Sequence, residues 1–84
     1  MPMPRNAKEG AEAYLEFQLH RTGGFLTALF EAISRADETN LARLRIGFPH
    51  EVRGYELFAR EGLDAILEVV GRDSPIAERF CKAY

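Results

Sequence analysis

Ala11, Leu15 and Leu19 recur every fourth residue along an otherwise polar stretch, with Tyr14 and Gln18 beside them. That spacing is the apolar stripe of an amphipathic helix. Asn6 is placed to cap it, and Gly23-Gly24 to end it, glycine readily taking the left-handed conformation of a helix stop. In the next segment, residues 25–36, Phe25, Leu26, Ala28, Leu29, Phe30, Ala32, Ile33 and Ala36 cover more than half of a helical circumference. So wide an arc predicts a helix packed on several sides, the centre of the fold.

Asp37 is the N-cap of a third helix over residues 38–46, with Leu41 and Leu44 inward. Gly47-Phe48-Pro49 then punctuates the chain. Gly47 is expected to stop the third helix at positive φ, Phe48 to fold back on Leu44 or Leu41, and Pro49 to open a fourth helix over residues 49–60. Val52, Tyr55 and Ala59 continue the inward side, and Gly62 breaks it. Leu63, Ile66, Leu67 and Val70 give a short fifth helix ended by Gly71. The run Ile66-Leu67-Glu68-Val69-Val70 also suits a strand, but no second β-like run exists to pair with it. Ser74-Pro75 signals a last helix with Ile76, Phe80 and Ala83 inward and the bulk of Cys81 partly covered. The expected fold is all-α: one compact domain over residues 6–84, five to six short helices with a Gly-Phe-Pro corner, preceded by a flexible head at residues 1–5. Leu29, Phe30, Ile33, Leu41, Leu44, Phe48, Val52 and Tyr55 are its expected core.

The chain has 84 residues, 46% of them hydrophobic, which is enough for one modest core. Its formal charge of −2 lacks the basic surplus of a dedicated nucleic-acid binder. One cysteine rules out an intrachain disulfide. Neither a signal-peptide run nor a stretch approaching the roughly 20 apolar residues of a membrane span occurs, so a cytoplasmic protein without membrane contact is expected.

Candidate chemistry is sparse. His20, His50 and Cys81 lack the repeated ligand spacing of a zinc site, and Glu16 with His20 reads as a solvated pair. A Cys81–His nucleophile pair is disfavoured because the negative end of a C-terminal helix opposes a thiolate. Glu9, Glu12 and Glu16 form a solvated acidic face. Gly23-Gly24 lacks the Lys-Ser/Thr of a phosphate loop. No catalytic residue, metal site or cofactor is expected, and the chain reads as a non-enzyme.

The stretch Phe25-Leu26-Thr27-Ala28-Leu29-Phe30-Glu31-Ala32-Ile33, Ala36-Asp37, Asn40-Leu41, Leu44, Gly47-Phe48-Pro49-His50-Glu51-Val52 and Tyr55 resembles short uncharacterised helical proteins of phages and prophage-like regions. The resemblance spans about residues 25–58. It carries no functional residues to transfer. It implies a context in which small proteins act stoichiometrically on a host machine, as anti-CRISPR proteins do.

The surface adds one more feature. Ile46 lies opposite Leu44, Leu57 points away from Val52, Tyr55 and Ala59, and Phe17 is turned from Leu15 and Leu19. Arginine beside exposed apolar side chains is a common composition of protein interfaces. Arg43, Ile46, His50, Arg53, Leu57 and Arg60 are therefore the expected partner-binding surface, facing an acidic protein. The function expected is a protein-interaction module, an inhibitor or adaptor. The alternative is a small helix-turn-helix DNA-binding regulator built on the third and fourth helices, against which Pro49, His50 and Glu51 make a poor first turn for phosphates or base edges. A subunit oligomerising through an apolar helix face is a third reading.

Overall fold

The computed structural model describes residues 3–83. The flexible head expected at residues 1–5 falls partly on Met1 and Pro2, which lie outside the described residues. At its other end, Arg5 donates to Glu9 from its backbone N–H at 2.9 Å and from its guanidinium at 3.0 Å.

Six α-helices follow: α1 (Ala7–Gln18), α2 (Gly24–Arg35), α3 (Glu38–Gly47), α4 (Pro49–Glu56), α5 (Leu63–Val70) and α6 (Pro75–Ala83). A π-helical turn, Leu57–Glu61, carries α4 on to Gly62. No strand occurs among the described residues. The caps form where the sequence places them. Asn6 accepts the Glu9 N–H and Asp37 the Asn40 N–H, both at 2.8 Å, and Ser74 Oγ accepts the Ala77 N–H at 3.2 Å. Each satisfies one of the orphan donors of a first turn.

The centre of the fold is the α1–α4 pair, and not α2. The two helices cross at Gly10 and Gly54, backbone against backbone. A methyl group at Gly10 would overlap the His50 carbonyl, and one at Gly54 would overlap the Gly10 carbonyl. So close an approach is open to glycine alone. Ala11, Leu15, Val52 and Leu57 all lie in the one buried core cluster. α2 flanks this pair with one side only. Leu26, Leu29, Phe30 and Ile33 are buried, while Ala28 and Ala32 are exposed and Phe25 is 58% exposed against the half-buried Phe48, ring centroids 6.0 Å apart. The broad apolar arc of α2 is wide because alanines pad it, and alanine is cheap to leave in water.

Tyr14 ties the helices together. Its ring centroid lies 5.3 Å from Phe30, edge-on, 5.7 Å from Phe17, 6.1 Å from Tyr55 and 5.5 Å from Phe58. Phe58 meets Phe80 of α6 at 6.0 Å, again edge-on. Such pairs add to area burial through complementary ring edges and faces. Phe17, expected to be turned away, is half-buried because the Phe30 ring covers it at 5.3 Å. Of the expected core, Leu29, Phe30, Ile33, Leu41 and Val52 are buried, and Leu44, Phe48 and Tyr55 are half-buried at its margin. Leu63, Ala59 and Ala83 are exposed rather than inward.

Two of the helix stops differ from expectation. α1 ends at Gln18, closed by His20 at φ 59°, and not at Gly23-Gly24. The Arg21 N–H bonds the Glu16 carbonyl and the His20 N–H the Phe17 carbonyl, both at 2.9 Å, which is the paired closure of a Schellman motif. Gly23 instead caps α2 in an extended conformation. Nor is Gly47 at positive φ: the glycines with positive φ are Gly62 and Gly71. α3 runs through Gly47, and Phe48 makes the corner at φ −135°, ψ 61°. Proline drives the residue before it out of the helical region, so the turn falls on Phe48. The space around a Gly47 Cβ is open. Gly47→Ala is therefore expected to raise the denaturation midpoint, by up to about 1 kcal/mol, since it removes unfolded-state freedom without strain. A lowered midpoint would show that the corner needs glycine.

Candidate functional site

The six residues expected to form a partner surface do not stay together. Leu57 is 2% exposed and belongs to the core. The side of α4 that carries it, with His50 and Gly54, is the side that α1 crosses. A helix clasped between neighbours has no single outward face, and the half-buried His50 lies at the contact itself. Arg53 and Arg60 are exposed but engaged. Arg53 pairs with Glu61. Arg60 bridges Glu38 at 2.9 Å and Glu56 at 3.3 Å, and Glu56 also receives Arg45 at 2.6 Å. This network fastens α3 to the end of α4, and its arginines are committed within the fold. Exposed single pairs contribute little to stability, about 0–1 kcal/mol each.

Arg43 and Ile46 remain as expected. Ile46 is 85% exposed. Arg43 joins a different set of residues, an open cleft of about 400 Å³ between α2 and α3 lined by Ala32, Arg35, Ala36, Asn40, Arg43 and Leu44. The construction is regular. α2 contributes Ala32 and Arg35, and the extended Ala36 that follows it joins them. α3 contributes Asn40, Arg43 and Leu44, residues i, i+3 and i+4, which share one face. The two rows meet across the tight α2–α3 connection, where Asp37 caps α3. Ala32, Ala36 and Leu44 are the apolar members of the lining, and Arg35 and Arg43 are its two charged ones.

The electrostatics of this cleft are distinctive. The chain has nine arginines, and Arg5, Arg21, Arg45, Arg53, Arg60, Arg72 and Arg79 each pair with a carboxylate. Among the described residues, Arg35 and Arg43 have no such pair, and both line the same cleft. Of the acids at the α2–α3 connection, Asp37 caps α3 and Glu38 binds Arg60. No carboxylate lines the cleft. The repeat of arginine at i+3 followed by an apolar or small residue, eight positions apart, was the sequence signal for it. It is a weak signal unless the α2–α3 corner is known to bring the two rows together.

Other candidates fare differently. On the acidic face, the Arg5 side chain and backbone hold the Glu9 carboxyl below its ordinary pKa, and Glu16 pairs with Arg79 at 3.3 Å and Arg21 at 3.8 Å. Much of that face is neutralised within the fold. Cys81 is exposed and not partly covered, as are Lys82 and Ala83 beside it in the last turn of α6. No group of three or more His, Cys, Asp or Glu side chains is placed to hold a metal ion among the described residues. No helix among them is long and apolar enough to cross a membrane. Compared with known proteins, the chain matches no family model, no curated protein and no solved structure.

Proposed function

We propose that this chain is a non-enzymatic protein-interaction module that engages an acidic partner through the α2–α3 cleft. One observation carries the reading. Of nine arginines, the two without an ion pair among the described residues line one cleft, beside Ala32, Ala36 and Leu44. Unpaired arginine on an apolar surface is an asset for recognition, because the planar fork pairs with carboxylates while the stem packs on carbon. Arg35 and Arg43 lie on helices anchored to the core by Ile33 and Leu41, so the cleft is presented with little ordering cost. Stoichiometric blocking or retuning of a host machine, as by a mobile-element inhibitor of the anti-CRISPR kind, is the biological setting that suits such a module.

The helix-turn-helix reading is less well supported. The reading helix would be α4, whose first turn holds half-buried His50 and buried Glu51, with α1 crossing directly above. A helix so covered has little surface to lay in a major groove.

The test pairs capture with melting. Arg35→Glu/Arg43→Glu is expected to melt like the wild type, since both side chains are exposed and unpaired. Proteins enriched from a host lysate by the wild type are expected to be lost with the double variant. If the wild type and the variant retain the same proteins, the cleft is not the docking surface.

A further inference from the structure

We infer that the α2–α3 cleft takes a short linear segment, in which an apolar side chain stands between two carboxylate residues, rather than the face of a folded protein. The inference rests on the interaction-module reading and specifies its occupant. It comes from size and from charge.

Size comes first. A standard protein–protein interface buries about 800 Å² on each partner and uses roughly 20–30 residues a side. The whole surface here is 5016 Å², and the cleft is lined by six residues. It cannot by itself supply a standard interface. Its volume of about 400 Å³ does suit apolar side chains reaching in from a segment laid along it. Its open form leaves any small molecule mostly in water, whereas small-molecule sites enclose about 70–90% of their ligand.

Charge defines the flanks. Arg35 from α2 and Arg43 from α3 both line the cleft, together with the apolar Ala32, Ala36 and Leu44. An occupant that gives each guanidinium its own carboxylate presents two acids, with its apolar group set against Ala32, Ala36 and Leu44. Charge-assisted pairs of this kind are roughly twice as strong as neutral hydrogen bonds. Asn40 adds an amide that can donate to and accept from the segment's backbone. A nucleic-acid strand fits less well. Its binding sites combine basic grooves with aromatic platforms for the bases, and the cleft has no aromatic residue. The chain's net charge of −2 repels a polyanion beyond the immediate reach of the two arginines.

The test uses the intact chain, isotope-labelled for amide NMR, and a pool of unlabelled peptides. In each peptide a leucine stands between two glutamates or aspartates at varied spacings. Shifts confined to Ala32, Ala36, Asn40 and Leu44 are expected, and the binding peptide is then titrated alone. Arg35→Gln and Arg43→Gln are each expected to weaken it by about tenfold. Exchanging its acids for glutamine, or its leucine for serine, is expected to weaken it similarly. An oligo-dT strand is expected to leave the cleft signals unmoved. The inference is overturned if no peptide shifts these amides, if both arginine variants bind undiminished, or if oligo-dT competes with the peptide. These failures are separable from failure of the interaction-module reading. A lysate partner lost with Arg35→Glu/Arg43→Glu, while no acidic peptide binds, leaves the module standing and removes only the linear segment. If that partner is also absent, both readings fall.

Discussion

Leu57→Asp is expected to abolish the cooperative melting transition. Leu57 looks like a surface residue on a helical wheel that takes Val52, Tyr55 and Ala59 as inward. In the fold it is 2% exposed, in the same buried core cluster as Ala11, Leu15 and Val52. Aspartate there removes the packing of a whole aliphatic side chain. Truncating a buried leucine alone costs about 2–5 kcal/mol. A carboxylate without a partner adds its own desolvation penalty, so the sum is on the order of 5 kcal/mol or more. A domain of 84 residues holds roughly 4–13 kcal/mol in total. The substitution therefore consumes most or all of the stability. Two controls bound the result. Leu57→Met keeps the volume and is expected to cost less than about 1.5 kcal/mol. Ile46→Asp, at an 85% exposed position, is expected to change stability by no more than about 0.5 kcal/mol. A normal melting curve for Leu57→Asp would put Leu57 on the surface and undo the α1–α4 packing described above.

Gly10→Ala and Gly54→Ala are expected to destabilise the protein strongly, against the direction that helix propensity gives. Each glycine lies inside a helix, and in an isolated helix alanine would be favoured by about 1 kcal/mol. The tertiary structure reverses the sign. The added methyl would run into the backbone carbonyl of His50 in one case and of Gly10 in the other. Backbone cannot rotate away as a side chain can, so the helices must separate. Separation loosens Leu15, Val52 and Leu57 together, at a cost of about 3 kcal/mol or more. The double variant is expected to cost less than the sum of the singles, because once one methyl has forced the helices apart the second meets a gap already opened. Denaturant midpoints of the three variants decide the matter. A rise in midpoint for either single variant would mean that the helices do not cross there. Gly47→Ala, with its opposite expected sign, is the internal control for propensity.

The candidate site divides along the same line as these glycines. Ile46 and Arg43 were visible as exposed residues because α3 is covered on one side, through Leu41 and Leu44, so its wheel has a true outside. The wheel of α4 does not. Its Val52 side faces the core and its Gly54 side faces α1, so Leu57, read as outward, is buried and His50 is half-buried. Arg53 and Arg60 were correctly exposed, but a sequence cannot say that Glu61, Glu38 and Glu56 would engage them. Arg35 falls in the polar remainder of a helix read as apolar over more than half its circumference, and nothing local singles it out. Its place depends on Arg43, eight residues away, lining the same cleft.

What the sequence determined by itself is the local order. Asn6, Asp37 and Ser74 start helices, Pro49 and Pro75 open them, and Gly62 and Gly71 end them, because capping hydrogen bonds and backbone sterics act within a few residues of where they are encoded. The helical spans and the all-α class follow from these signals and from hydrophobic periodicity. What only the tertiary structure decided is which helix is central, which side of α4 is outside, and which arginines remain free. Gly10 and Gly54 are far apart in the chain, and nothing local to either reveals that it exists to admit the other. Packing and charge pairing are relations between distant residues, so their consequences for Leu57, Arg35 and Arg43 become legible only when the helices are in place.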